Sequence, residues 1–144
     1  MALNLVFPYS ADKTLAMVNG VPMVGLTGDE AVTIEPMSDS ASSKVGLDRS
    51  VSVSNGIDDR AKVTIKLQQG SPSNDVLNGF YQVIQIRGLA FAAINIQNLF
   101  ERSILVAPQG WFLRRPNQGY ANEAGDRVWT FECLPTVWNI GGAL

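Results

Sequence analysis

The sequence contains no histidine, and this absence excludes several kinds of chemistry at once. A chain without histidine cannot form a Ser-His-Asp triad, a Cys-His dyad or a histidine-ligated zinc site. The single cysteine, Cys133, can neither form an internal disulfide nor build a thiolate metal site alone, which excludes a disulfide-stapled secreted scaffold. We therefore predict that the protein is not an enzyme and that it holds no metal or other cofactor.

Charge is also scarce. Charged residues make up 17% of the chain, against about 25% in an ordinary soluble domain. The net charge of −2 is too balanced for a dedicated nucleic-acid binder. Residues 1–59 carry eight acidic and three basic side chains, whereas residues 60–144 carry five and eight. The sparse charge indicates a surface that meets other protein, and the unlike halves suit head-to-tail self-association.

Long apolar runs are missing as well. The longest, residues 89–94, is far shorter than the roughly 20 residues that span a bilayer. The N-terminus, MALNLVFPYS, lacks the positive region of a signal peptide. We expect a protein that is made in a cytoplasm and does not bind membranes. The length of 144 residues predicts one domain, and the apolar content of 46% is enough for a packed core.

Alternation of apolar and polar residues dominates the chain and is typical of half-buried β-strands. It is clearest in residues 60–68 (RAKVTIKLQ). Asn19-Gly20 and Asn55-Gly56 are turn dipeptides, and residues 55–59 are interpreted as a hairpin connection between strands 50–54 and 60–68. Further strands are predicted at residues 3–7, 32–35, 93–97, 104–107 and 128–133.

One segment departs from this period. Residues 71–87 have apolar side chains at helical spacing, and Ser71 can cap the helix with Pro72 at its first position. Asp75 complements the positive end of that helix. By contrast, residues 36–48 are small and polar without any period, which predicts a long inter-strand loop.

Three groups of side chains could carry chemistry. Asp58 and Asp59 lie in a turn signature, where a structural role is expected. Cys133 alternates with Trp129 and Phe131, which predicts a buried small hydrophobe. Arg114 and Arg115 beside Trp111, Phe112 and Tyr120 are compatible with a nucleic-acid patch, although a solvent or protein-interface role is favoured.

Several segments, taken in order over nearly the whole chain, resemble a phage tail tube protein of the contractile-tailed type. The most specific is residues 69–77 (QGSPSNDVL), which looks like the strand-to-helix junction of that family. Residues 47–49 (LDR) depart from it, because the family tends to have an acidic-glycine turn there. The other matching segments are residues 21–30 (VPMVGLTGDE), 34–36, 44–48, 51–55, 62–67, 126–131 and 141–142.

The resemblance implies a mainly β fold: a small antiparallel β-sandwich or barrel with one flanking helix. It also implies hexameric rings that stack into a hollow tube inside a contractile sheath, part of a virion tail assembled in the host cytoplasm. The expected partners are other copies of the chain, the sheath, tape measure, baseplate and tail terminator proteins, and DNA that passes without specific binding. The tube of a type VI secretion or other contractile injection system stays an alternative, as does a small ligand- or nucleic-acid-binding β-barrel.

Two sets of residues follow as candidate sites. The loop is expected to be mobile in the free subunit and to become ordered against the next ring; its residues are Met37, Ser38, Asp39, Ser40, Ser42, Ser43, Lys44, Val45 and Gly46. Polar faces of alternating strands could line the channel, through Thr33, Glu35, Ser50, Ser52, Ser54, Lys62, Thr64 and Lys66.

A bare cationic lining would retain DNA, because lysines that meet phosphates release counterions. If Lys62 or Lys66 faces the channel, we therefore expect a carboxylate such as Glu35 to lie close by. The alternative is that this face points to the sheath or to a neighbouring subunit.

Overall fold

The computed structural model of the chain describes residues 14–28, 30–87, 92–99 and 101–142. The mainly β fold predicted from the sequence is confirmed. The predicted strand at residues 3–7 lies outside the described residues. Along the chain the elements are β1 (Thr14–Val18), β2 (Val21–Pro22), β3 (Val32–Pro36), β4 (Ala41–Val45), β5 (Val51–Asn55), β6 (Ala61–Gln68), α1 (Ser73–Arg87), β7 (Ile94–Asn98), β8 (Ile104–Ala107), β9 (Gln109–Arg114), β10 (Asp126–Leu134) and β11 (Val137–Asn139).

The strands form three antiparallel sheets. One has the order β11-β8-β7-β1-β2 and another the order β3-β6-β10-β9. The third is a two-stranded hairpin of β4 and β5. The two larger sheets contribute buried side chains to one apolar core.

Strand β6 lies at the centre of this core. Its inward side chains, at positions 61, 63, 65 and 67, are fully buried and face the inward side chains of β10 across the strand pair. Val18, Ile94 and Leu105 of the other sheet belong to the same cluster. The alternation in residues 60–68 thus predicted the central strand correctly, because burial of one face selects apolar residues at every second position.

Helix α1 begins two residues later than predicted and ends at the predicted residue. The predicted cap is confirmed, since the Oγ atom of Ser71 accepts a hydrogen bond from the backbone N–H of Ser73 at 3.2 Å. Leu77 is fully buried, and Val76 and Phe80 pack against the core.

The start of α1 is held by the segment that follows β2. The backbone N–H of Val24 donates to Ser73 Oγ at 2.8 Å, and Ser71 Oγ donates to the carbonyl of Val24. Gly25 has φ +70°, and a Cβ atom there would lie 2.7 Å from the Ser71 side chain. Two segments that carry the sequence resemblance, residues 21–30 and 69–77, therefore meet in space.

The predicted long loop at residues 36–48 is wrong in its central part. Residues 41–45 form β4, which pairs with β5 in the register Val45↔Val51 to Ala41↔Asn55. Every residue of both strands is exposed, so no burial imposes an alternation that the sequence could reveal. Backbone hydrogen bonds hold the pair.

The predicted hairpin between β5 and β6 is also wrong. Both edges of β6 are occupied, by β3 on one side and β10 on the other, so β5 has no edge of β6 to join. The Asn19-Gly20 turn is confirmed: it links β1 to β2 with φ of 54° and 79°, which suits a two-residue hairpin turn with positive φ at both positions.

We predict that Gly25→Ala destabilises the protein by about 1–3 kcal/mol, because it combines a strained φ with a clash against Ser71. Urea unfolding followed by tryptophan fluorescence measures this change. Gly28→Ala is the matched control, since a Cβ atom there meets nothing within 4 Å. Its free energy of unfolding should stay within about 0.5 kcal/mol of the parent value. Equal stability of the two variants would contradict this account of the junction.

Candidate assembly surface

The hairpin of β4 and β5 has two unlike faces. Val45, Val51 and Val53 lie on one face, where they are exposed by 66%, 59% and 65%. We call these three side chains the valine face. Leu47 at the tip of the hairpin is fully exposed. The opposite face is polar and is formed by Ser42, Lys44, Ser52 and Ser54.

An exposed apolar face on an isolated hairpin is unusual for a monomeric protein. Contiguous exposed apolar patches commonly mark sites of protein association. A two-stranded hairpin is also only marginally stable by itself, since it buries little surface. The valine face is therefore a candidate contact for another protein surface.

Four side chains tie the base of the hairpin to the large sheet, and we call them the clamp. Asp58 follows β5 and binds Arg60 through two hydrogen bonds of 2.8 Å, from Arg60 Nε and Nη2. Ser38, which precedes β4, donates to Asp58 at 2.7 Å. Arg60 Nη1 reaches Glu132 of β10 at 2.5 Å. The clamp thus joins both ends of the hairpin to the sheet, and the structural role predicted for Asp58 is confirmed.

The clamp stays ionised over a wide pH range. The hydrogen bond from Arg60, followed by that from Ser38, holds the pKa of Asp58 far below its usual range. Since the pKa of Asp58 is lowered by folding, its contribution is complete above the unfolded pKa near 3.8 and is lost only as the pH falls through the folded value. The hairpin base should therefore keep this contact in mildly acidic solution.

The outward face of the four-stranded sheet is polar, and we call it the polar wall. The strand register places Lys62 between Glu35 of β3 and Glu132 of β10. The next row contains Thr33, Thr64 and Thr130. The structure thus brings together the predicted residues Thr33, Glu35, Lys62, Thr64 and Lys66 on one surface. It places Ser50 next to the hairpin tip, and Ser52 and Ser54 on β5, away from that sheet.

The polar wall carries charges of both signs. Glu35 and Glu132 are acidic and Lys62 and Lys66 are basic, and Arg114 of β9 lies in register with Thr130 on the same face. Glu132 is already paired with Arg60 of the clamp. Glu132 is only 5% exposed and also accepts a hydrogen bond from Trp111 Nε1 at 3.3 Å. Glu132 was absent from the predicted set, although the alternation of residues 128–133 assigns it to the outward face. The missing information was which strand pairs with β6.

The aromatic residues near Arg114 and Arg115 are engaged within the subunit. The ring of Phe112 packs against Phe131 at 4.8 Å and edge-on against Tyr81 at 5.4 Å. Arg115 lies over the ring of Tyr81 at 4.6 Å. Phe112 is therefore not arranged to stack on nucleic-acid bases.

Cys133 is fully buried, as predicted. Burial, with a smaller effect of the neighbouring Glu132 charge, raises the pKa of its thiol to about 11. Over the described residues, no three cysteine or acidic side chains converge as a metal site. Within the same part of the chain, α1 is neither long nor apolar enough to cross a membrane.

Comparison with known proteins identifies the family. The chain matches the bacteriophage PhiTE tail tube protein family over residues 16–140. It belongs to this family. The match runs from β1 to the residue after β11 and so includes both large sheets, the hairpin and the helix of this tail tube protein. The prediction of a phage tail tube protein is confirmed, and the match decides against a small ligand- or nucleic-acid-binding barrel.

Individual relatives agree with the family match. Structural protein ORF10 of Pseudomonas phage KPP10 is 24% identical over 128 residues, which cover 83% of this chain and 70% of that protein. The tube-terminating cap of the anti-feeding prophage has a TM-score of 0.58 at 10% identity, with 92% and 91% of the two chains covered. A chain of the sheath–tube complex of PVC, an extracellular contractile injection system in its extended state, has a TM-score of 0.61 at 9% identity, with 94% and 93% covered. At such low identity, the two structural matches of the tail tube protein show a shared fold.

We predict that Arg60→Met loosens the hairpin without unfolding the core. The substitution removes the three charge-assisted bonds of the clamp that involve the guanidinium, so amide exchange in β4 and β5 should accelerate by about tenfold or more. Exchange in β6 and β10 should change much less. Hydrogen exchange read by mass spectrometry on the unassembled subunit resolves these segments.

Arg114→Met is the matched control, because the one side-chain hydrogen bond of Arg114 within the described residues is long, 3.4 Å to Asn117. The parent protein should keep its hairpin protection, corrected for intrinsic rates, at pH 4, since the lowered pKa of Asp58 keeps the clamp ionised. Unchanged exchange in β4 and β5 of Arg60→Met would rule out the clamp as the tether.

Proposed function

We propose that this tail tube protein is the repeating subunit of a hollow tube inside a contractile sheath. In this proposal, copies form hexameric rings, the rings stack, and DNA and the tape measure protein pass through the conduit. The tube assembles in the host cytoplasm and ends at baseplate and tail terminator proteins. Family membership supports the tube, and the fold shared with a chain of a sheath–tube complex supports the contractile type.

The observation that carries the proposal is the valine face. A folded subunit with a well-packed core nevertheless leaves three valines of one hairpin face without intramolecular cover. The clamp fixes the base of that hairpin to the central sheet. A tethered apolar face suits a repeated contact with an identical neighbour better than occasional contacts with unlike partners.

The inter-ring contact is assigned to the hairpin as a unit. The loop predicted at residues 37–46 is here replaced by β4 and the segment that leads into it. The valine face would pack on a subunit of the next ring, whereas the serine face of β5, including Ser52 and Ser54, would turn to the channel. This arrangement keeps the valine face away from DNA and gives the channel hydrated hydroxyls together with one cation, Lys44, on the same face of the hairpin.

The polar wall is proposed to line the channel within each ring. Its mixture of acidic and basic side chains would limit the positive charge that DNA meets as it slides past. Glu35, the cross-strand neighbour of Lys62, would offset the charge of that lysine, whereas Glu132 is already paired with Arg60. A second candidate function is the tube of another contractile injection system, because the fold is shared with the PVC chain. Recovery of the protein in DNA-containing particles would favour the phage tail over such an injection system.

We predict that the parent protein forms rings or tubes at high concentration and that Val51→Thr with Val53→Thr weakens this assembly. Each threonine keeps the shape of valine but removes about 1 kcal/mol of apolar burial, so the two together should raise the half-assembly concentration by roughly 30-fold. Sedimentation velocity and negative-stain images measure assembly. Both positions are exposed, so the melting temperature should stay unchanged.

Ser52→Thr with Ser54→Thr is the matched control on the other face of the same strand. It should assemble at the parent concentration. A parent protein that stays monomeric at millimolar concentration and never accompanies tail particles would refute the proposed function, whereas equal assembly of all three proteins would refute only the role of the valine face.

For the channel, we predict that Glu35→Gln produces tubes that retain DNA. The substitution removes the carboxylate beside Lys62 and makes the charge of the polar wall more positive, and each uncompensated lysine adds a binding contribution that falls roughly 3.5-fold between 50 and 200 mM salt. Retention of a short labelled duplex by assembled tubes at both salt concentrations measures this effect. Glu123→Gln, in an exposed loop, is the control. Equal retention by both variants would exclude Glu35 from the lining.

A further inference from the structure

Arg127 places a guanidinium at the wall of a cavity. The residue lies near the start of β10 and is only 8% exposed as a whole. Among the residues that the structure describes, no carboxylate lies within 4 Å of its guanidinium. No buried side-chain nitrogen in this part of the chain lacks a hydrogen-bond partner, so the guanidinium N–H groups reach solvent. The guanidinium carbon lies 5.6 Å from the centroid of the Tyr120 ring. These N–H donors are therefore accessible to an acceptor that enters the cavity from outside.

Arg127 borders a cavity of about 480 Å³ between the first turn of α1 and the segment after β9. Arg115 and Tyr120 line the same cavity. Arg115 lies over the ring of Tyr81, as Arg127 lies over that of Tyr120. A guanidinium that stacks on a ring keeps its in-plane N–H donors available, which is the geometry that binds a carboxylate through two parallel hydrogen bonds.

The cavity has a net positive charge and a fixed wall. Asp75 also lines it, but that carboxylate lies beyond 4 Å from both guanidinium groups, which leaves two positive charges against one negative. Asn74 accepts a hydrogen bond from Trp129 Nε1 at 3.0 Å and donates to the carbonyl of Gln68 at 3.0 Å. These bonds hold the wall in place before a ligand arrives.

We propose that this cavity takes a carboxylate from the hairpin segment of a second copy of the chain, held by Arg127 with Arg115. The inference rests on the proposed self-assembly and adds an ionic contact to it. Residues 1–59 carry the excess of acidic side chains and residues 60–144 the excess of basic ones, so contact between unlike halves of two copies is complementary. The exposed acidic side chains of the hairpin segment outside the clamp are Asp39, Asp48 and Asp59.

Arg127→Met tests the proposal because it keeps an unbranched apolar stem and removes the charge. The free subunit should melt near the parent temperature, since no ion pair within the described residues involves this guanidinium. Assembly should weaken, with a half-assembly concentration at least about tenfold higher. Arg114→Met, one strand away and outside the cavity, should assemble like the parent.

The source of the carboxylate is tested by Asp39→Asn, Asp48→Asn and Asp59→Asn. One of them should reproduce the assembly defect of Arg127→Met, and combining it with Arg127→Met should add no further loss. Titration of the free subunit with inorganic phosphate at constant ionic strength tests the other source. If phosphate raises the melting temperature only when Arg127 is present, while none of the three aspartate variants impairs assembly, the cavity holds an anion from solution and the proposal is overturned.

The outcomes separate this inference from the proposed function. A parent protein that assembles while Arg127→Met assembles equally well overturns the inference and leaves the tube intact. A parent protein that never assembles overturns both. An Arg127→Met subunit that melts well below the parent would mean that the guanidinium already has a stabilising partner in the free subunit, which also contradicts the proposal.

Discussion

Strand β6 buries one face in the core and is paired along both edges, and these two constraints determine the rest of the structure. Its odd-numbered side chains, from position 61 to 67, are fully buried, whereas Lys62, Thr64 and Lys66 face outward. Both edges are paired, so Glu35 and Glu132 flank Lys62. The same pairing denies β5 a place in the sheet, and the chain between β3 and β6 can then only project as a separate hairpin. The polar wall and the exposed hairpin are therefore two consequences of one central strand.

A hairpin that buries nothing needs a tether, and the clamp supplies one at its base. Asp58 binds Ser38 and Arg60 from the two chain ends of the hairpin, and Arg60 extends the contact to Glu132 in the core sheet. Because the pKa of Asp58 is strongly lowered, this connection does not change its charge in mildly acidic or neutral solution. The hairpin can thus present the valine face from a fixed base although it has no core of its own.

The elements that the sequence predicted best are those with one buried face. Strands β6 and β8 and helix α1 were predicted because one face of each packs into the core, which places apolar residues at a regular spacing. Strand β4 was missed because both of its faces are exposed, and the β5–β6 hairpin was wrong because pairing depends on which edges are already occupied. Arg127 alternates with Trp129 and Phe131, so the sequence assigns it to the inward face of β10, but the cavity that it borders emerges only from the fold. Glu132 similarly needed the β6 register.

The exposed valine face and the cavity beside Arg127 determine how strongly one copy of the subunit binds another. Burying the exposed parts of three valines is worth about 1 kcal/mol each, or roughly 3 kcal/mol together. Association of two proteins costs about 4–15 kcal/mol in lost translational and rotational freedom, so this contact alone cannot hold two subunits together. A charge pair at Arg127 would strengthen the contact, but it acts only where two copies meet in one orientation. Contacts that are weak singly become sufficient when each subunit makes several at once, as in a closed ring placed on an existing ring. Such a subunit is expected to assemble only at high concentration, or on a template that supplies those contacts together.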